Sequence, residues 1–334
     1  ALHEPRPVIP RAREAVIVDR VDRTKSTGEF FLSDVHTGRN MEGVKPGEIR
    51  KLLILEPLPK PVNFSGGMEP LTIGGSFSLA RIVGTVPVEP DGSARFEAPA
   101  LRPLFFVALD EKDLAVKRMQ SWCIVQPGEK SGCVGCHEHR TETARPEGLR
   151  MAMRRAPSRI EPFAGIPDVL DFPRDVQPIL DRHCLKCHGP ERYAAKLDLS
   201  GGHTERYCVS YQNITRRGLV ADGRNRPQSN YAPRTLGSSA SKLLRVATSG
   251  HQGVKLDPRE STLLRLWIES SATYPGTYAA LGCGTAPLSL PYGNLRRCAE
   301  CHLHDAKDRK GHPIKAWSFG HPDYMCNLDK PGDR

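Results

Sequence analysis

The chain changes its hydrophobic period part-way along. Between residues 15 and 125, apolar positions fall in short runs at 14–22, 29–35, 49–57, 79–88, 94–97, 104–109 and 114–119, most of them rich in Val, Ile, Leu and Phe. Turn-forming residues separate them, as in Pro90-Asp91-Gly92-Ser93. The stretch from Val86 to Glu97 predicts a hairpin, because Asp91-Gly92 suits a tight turn and Phe96 alternates with polar neighbours. Seven short strands at this spacing favour an antiparallel sandwich.

From about residue 170 the spacing becomes helical. Residues 175–183 lead into a Cys pair, and 239–248 predict a helix with Leu243, Leu244 and Val246 apolar, closed by Gly250. A better marked helix follows. Asp257 suits its N-cap, Pro258 its first position and Glu260 a capping box, and Leu263, Leu264, Leu266, Trp267 and Ile268 form a broad apolar face. Beyond Tyr278 the chain reads as loop. The expected fold class is α+β and multidomain. It has an antiparallel β-sandwich-like unit over 1–145, a linker over 146–169, a mainly α, loop-rich unit over 170–282 and a loop-rich segment over 283–334.

Composition adds limits. The 334 residues are 38% hydrophobic and 6% aromatic, with 30 Gly and 29 Pro, so much of the chain is turn and loop. A formal charge of +10 fits a solvated surface or an acidic partner. No basic stripe interleaved with aromatics is present, which sets nucleic acid aside. No run approaches the ~18 apolar residues of a membrane span. Residues 1–13 are polar and do not read as a signal peptide, so an exported product would have lost its leader or be part of a longer chain.

Ten cysteines carry the chemistry. Six lie in three copies of one pattern, Cys133-Val-Gly-Cys136-His137, Cys184-Leu-Lys-Cys187-His188 and Cys298-Ala-Glu-Cys301-His302. Cys-x-x-Cys-His is the attachment pattern of haem c. Two thiols three residues apart reach the two vinyl groups of the porphyrin, and the His that follows lies under the ring, where it can bind iron. A zinc site or a redox dithiol has no need of a His directly after the second Cys each time. Three covalently bound haems are expected, and attachment of that kind places the protein in the periplasm or outside the cell. Cys123, Cys208, Cys283 and Cys326 remain. A disulfide between Cys283 and Cys326 and a pair of free buried thiols are both open.

The stretches from Arg81 to Pro99 and Pro103 to Asp110, then Gln120-Ser-Trp122, Gln126-Pro-Gly-Glu129 and Cys133-Val-Gly-Cys-His-Glu138, resemble the middle domain of the hydrazine synthase alpha subunit. Phe172-Pro-Arg-Asp-Val-Gln-Pro-Ile-Leu-Asp-Arg-His-Cys-Leu-Lys-Cys-His-Gly189, with Gly250-His-Gln-Gly-Val-Lys-Leu256 and Leu266-Trp-Ile268, resembles the cytochrome c domain that follows it in such planctomycete-type cytochromes. The resemblance covers roughly residues 15–280. It implies a propeller ahead of the matched region, and partner subunits. It also implies a Tyr soon after the first motif that binds the first iron, with the motif His diverted to zinc. Here Glu138, His139, Arg140 and Thr141 follow His137, and no Tyr occurs before Tyr193. The scaffold and the haems carry over; hydrazine synthesis does not.

His137, His188 and His302 are the proximal ligands expected. For the second haem the sixth ligand expected is His251, at the family's Gly-His position. For the third, His312, His321 and Met325 compete, with His321 favoured. For the first, His139 is too close to span both faces easily, and His36 and Cys123 are donors from the β-unit. Three functions follow. The first is electron transfer by a triheme cytochrome, alone or as a subunit of a larger redox complex. The second is haem enzymology of nitrogen compounds, and the third is a polymeric extracellular haem wire. The partners expected are redox proteins, complex subunits or further copies of the chain.

Overall fold

The computed structural model describes residues 21–59, 71–73, 78–136, 148–202, 207–223 and 230–278, with Ile9, Pro10, 13–16 and Asp19 ahead of them. Seven strands form, β1 Thr27–Leu32, β2 Lys51–Pro57, β3 Ala80–Pro87, β4 Ala94–Pro99, β5 Phe105–Leu109, β6 Ala115–Arg118 and β7 Lys130–Cys133. Six match predicted runs. The run at 14–22 has no strand among its described residues, and β7, Lys-Ser-Gly-Cys, has no apolar pattern to announce it.

The strands make two sheets, ordered β4-β1-β7 and β3-β2-β5-β6. The predicted hairpin is corrected by this order. Its turn is present, with Gly92 N–H donating to Glu89 C=O at 2.9 Å and Glu89 N–H to Ser93 C=O at 2.8 Å. However, β3 pairs with β2, and β4 pairs with β1 in the other sheet. The turn therefore carries the chain across the sandwich. Pairing is antiparallel throughout except for β7, which runs parallel to β1.

β2 shows why the four-stranded sheet lies in the middle of the molecule. Leu52, Leu53, Ile54 and Leu55 are all buried, although successive side chains point to opposite faces. Leu52 and Ile54 join a core between the sheets, where Phe30, Phe96 and Phe106 meet with ring centroids 5.6–5.7 Å apart. Leu53 and Leu55 face the other way, into a core shared with the C-terminal half.

That second core overturns the expectation of a mainly α unit. The described helices are short. α1 Gln177–His183, α2 Val209–Arg216, α3 Lys242–Thr248 and α4 Pro258–Glu269 have 7, 8, 7 and 12 residues. Turns and loops join them, and the described protein as a whole is β-rich. Helices of this length are marginal by themselves and depend on packing. Here Leu263, Leu264, Leu266, Trp267 and Ile268 of α4 lie in one cluster with Leu53, Leu55, Val107 and Leu109 of the sheet. Phe172, Tyr207, Tyr211, Trp267 and Tyr274 fill its centre, with neighbouring ring centroids 5.0–6.3 Å apart. The start of α4 is as predicted. Asp257 accepts from Glu260 N–H at 2.7 Å, and Glu260 accepts from Asp257 N–H at 3.0 Å, closing the capping box.

Candidate functional site

The second Cys-x-x-Cys-His motif continues directly from α1. Cys184 N–H donates to Leu180 C=O at 2.8 Å and His188 N–H to Cys184 C=O at 2.8 Å, so the two sulfurs and the imidazole are spaced by helical turns. The chain then loops back on the motif. Leu199 N–H donates to His188 C=O at 2.6 Å, and Nδ1 of His188 lies 3.0 Å from Ala194 C=O. A carbonyl only accepts, so Nδ1 carries a proton, and in the neutral ring Nε2 is the nitrogen with the lone pair. A donor bond of this kind from the far nitrogen is the usual support of a metal-binding imidazole. Burial, and then Cys187, lift the Cys184 thiol to about 11. The place disfavours a thiolate and suits an uncharged thioether.

His251 reaches the same spot from another element. α3 ends at Thr248, and Gly250, at φ +77°, takes the left-handed turn that Gly permits at a helix end. His251 follows, exposed, with its ring centroid 6.3 Å from that of His188 and the planes 22° from parallel. Two imidazole–metal bonds of about 2.0 Å, with each ring centre about 1.1 Å behind its nitrogen, put the centroids about 6.2 Å apart. The observed separation of 6.3 Å agrees with that figure. Two imidazoles are a short set for a bare ion. They would complete the ligation of an iron already held by a porphyrin. Among the described residues no cluster of three or more His, Cys, Asp or Glu is placed to hold a metal alone. Cys184, Cys187, His188 and His251 fit haem c.

The first motif belongs to the sandwich. Cys133 ends β7, opposite Leu32 of β1, and Cys136 N–H donates to Thr37 C=O at 2.7 Å. Gly135 permits that approach, since a Cβ there would lie 2.0 Å from Thr37 C=O. Cys133 and Cys136 line a cavity of about 240 Å³ together with Phe30, Phe96, Met119 and Cys123. Burial, and then Cys133, push the Cys123 thiol up to about 12, and its Sγ lies 3.6 Å from Leu104 C=O.

His36 is occupied elsewhere. Its Nδ1 lies 2.9 Å from Asp34 Oδ1 and its Nε2 accepts from Gly47 N–H at 3.1 Å, so both ring nitrogens hold the 34–47 loop. His137 and His139 lie outside the described residues, as do Cys298, Cys301, His302, His312, His321, Met325, Cys283 and Cys326. Cys208 is buried, 3.0 Å from Ser210 Oγ. Sequence reasoning did not find the Ala194 carbonyl or Met119 in the cavity wall, because neither a backbone acceptor nor a lone Met has a sequence pattern.

No described helix is long and apolar enough to cross a membrane. Residues 47–138 match the family model of the hydrazine synthase alpha subunit middle domain. No curated protein matches. Among solved structures, hydrazine synthase of Kuenenia stuttgartiensis shares the fold, with a TM-score of 0.55 and 18% identity over 76% of this chain and 44% of that one. The chain thus spans less than half the length of that relative. A 9R-lipoxygenase from Cyanothece PCC8801, at 14% identity over 53% of this chain and 26% of that one, has a TM-score of 0.16 and carries no argument. From β2 to the end of the first motif, the chain is thus related to the middle domain of the hydrazine synthase alpha subunit.

Proposed function

We propose that the chain is a multihaem c-type protein of nitrogen-compound redox chemistry, periplasmic or extracellular, in which Cys184, Cys187, His188 and His251 hold a closed electron-transfer haem. The pair His188–His251, with ring centroids 6.3 Å apart and near-parallel planes, carries this reading. When bound, such a haem supplies a one-electron iron couple. The chain's own part is to hold both imidazoles in place. Ala194 C=O fixes the proton of His188 on Nδ1 and makes Nε2 the more basic donor.

The first motif is the proposed reaction centre. In its favour, the match to the hydrazine synthase alpha subunit middle domain ends on this motif. The largely apolar cavity behind Cys133 and Cys136 also offers room for a small uncharged molecule. No His of the described sandwich is free to close that iron, because His36 is held at both nitrogens. A triheme carrier without a reactive iron is the second reading, and the His188–His251 pair favours it at one centre only. Haem count by mass, with spectra of the ferrous protein under CO, nitric oxide and hydroxylamine, separates the two. A response from part of the haem is expected, and inertness to all three overturns the reaction centre.

A further inference from the structure

The two arms of the His188–His251 gap come from segments more than sixty residues apart, and one side chain joins them. Glu260 is 5% exposed. Its Oε1 accepts from Arg182, and its Oε2 lies 2.9 Å from His183 Nε2. Arg182 and His183 are the last residues of α1, and His183 directly precedes Cys184. The same Oε2 accepts from Asp257 N–H at 3.0 Å, six residues after His251. Leu256 and Cys184 pack on one core cluster beneath this contact.

We infer that Glu260 is a positioning residue that sets the gap between His188 and His251. This rests on the haem reading above. A capping box alone needs neither Arg182 nor His183. Asp257 and Glu260 satisfy each other at the start of α4, as ordinary caps do. The additional contacts spend a buried carboxylate on the segment that carries the other ligand. A buried carboxylate that loses its hydrogen-bond partners is strongly disfavoured, so the contacts of Glu260 with Arg182, His183 and Asp257 N–H tie the two segments together. His251 sits on an exposed turn with Gln252 in the left-handed region, and has little packing of its own to hold it.

The test is CO uptake by the ferrous full chain, measured beside its thermal midpoint. His251→Ala sets the reference for an opened second iron. Glu260→Ala is expected to gain roughly half or more of the extra CO uptake of His251→Ala, and added imidazole is expected to reverse the gain. Glu260→Gln, whose amide oxygen still accepts from Asp257 N–H, is expected to gain less. Arg182 is 63% exposed at its side chain, so Arg182→Ala folds even if Glu260→Ala does not. It is expected to speed CO binding roughly twofold. A lowered thermal midpoint with wild-type CO uptake in the Glu260 variants, or an unchanged rate in Arg182→Ala where those do not fold, overturns the inference and leaves Glu260 as a cap. If His251→Ala gains no CO, the haem reading falls first and the inference with it.

Discussion

The rings of His188 and His251 lie 6.3 Å apart, centroid to centroid, and nearly parallel, although 62 residues of chain separate them in sequence. The spacing suits one iron between two nitrogens, so on the function proposed above the residue at 251 would set the electronic character of that iron. Replacing His251 by Met keeps two axial ligands and exchanges a nitrogen for a thioether, which favours the reduced form. A titration of His251→Met is expected to show one haem per chain with a raised reduction potential and the others unchanged. An unchanged set of potentials would place His251 off the iron.

Glu269 closes α4 with its side chain fully buried. Its carboxylate accepts from Ser238 N–H at 2.7 Å, and its backbone carbonyl accepts from Arg118. Burial raises its pKa against the lowering pull of Arg118 and Ser238. The folded protein therefore holds this proton more tightly than the unfolded chain, and Glu269 contributes most stability below the ordinary carboxylate value of 4.5. That contribution is lost as pH rises from there through the raised folded value. Urea midpoints of the native protein and of Glu269→Gln, measured from pH 4 to 8, are expected to differ by a contribution that falls as pH rises. The substitution is expected to raise the midpoint at pH 8.

His36 is a brace in the loop that joins β1 to β2. Its two ring nitrogens meet Asp34 and Gly47 N–H, and its side chain is 12% exposed. His36→Ala is expected to cost about 1–3 kcal/mol through the unpaired groups it leaves and to leave all haem spectra as they were. A change of spin state at any haem would restore His36 as a ligand.

Cys123 stands beside the first attachment pair with its thiol pushed up to about 12. At pH 8 very little of it is thiolate, the form that alkylates. Iodoacetamide is expected to leave Cys123 unmodified in the native protein over a time that labels it fully in urea. In the haem-loaded chain Cys133 is a thioether and its charge is removed, but burial remains, so the protection is expected to persist. Rapid native labelling would mean that the cavity wall opens.

The β-runs and the start of α4 were legible because each is a local pattern. Asp257-Pro258-Arg-Glu260 specifies its own capping box. The partners of those elements were not legible. The turn at Asp91-Gly92 is chemically a hairpin turn, yet β3 and β4 enter different sheets, a choice made by the pairing of β2 and β1 far away in sequence. Leu263 to Ile268 read equally well as the wall of a helical domain or the cover of a sheet. Leu53 and Leu55 decide it by leaving an apolar face that needs covering. At the second site, His251 followed from the family's Gly-His position. The link through Glu260 to His183 joins two polar side chains 77 positions apart, and no periodicity marks that.

Haem-normalised CO uptake by the ferrous protein, compared between the native chain and His251→Ala, addresses the central claim most directly. A haem closed by His188 and His251 predicts that the substitution adds one CO per chain and converts one low-spin haem to an open one. An uptake identical in the two proteins would contradict it.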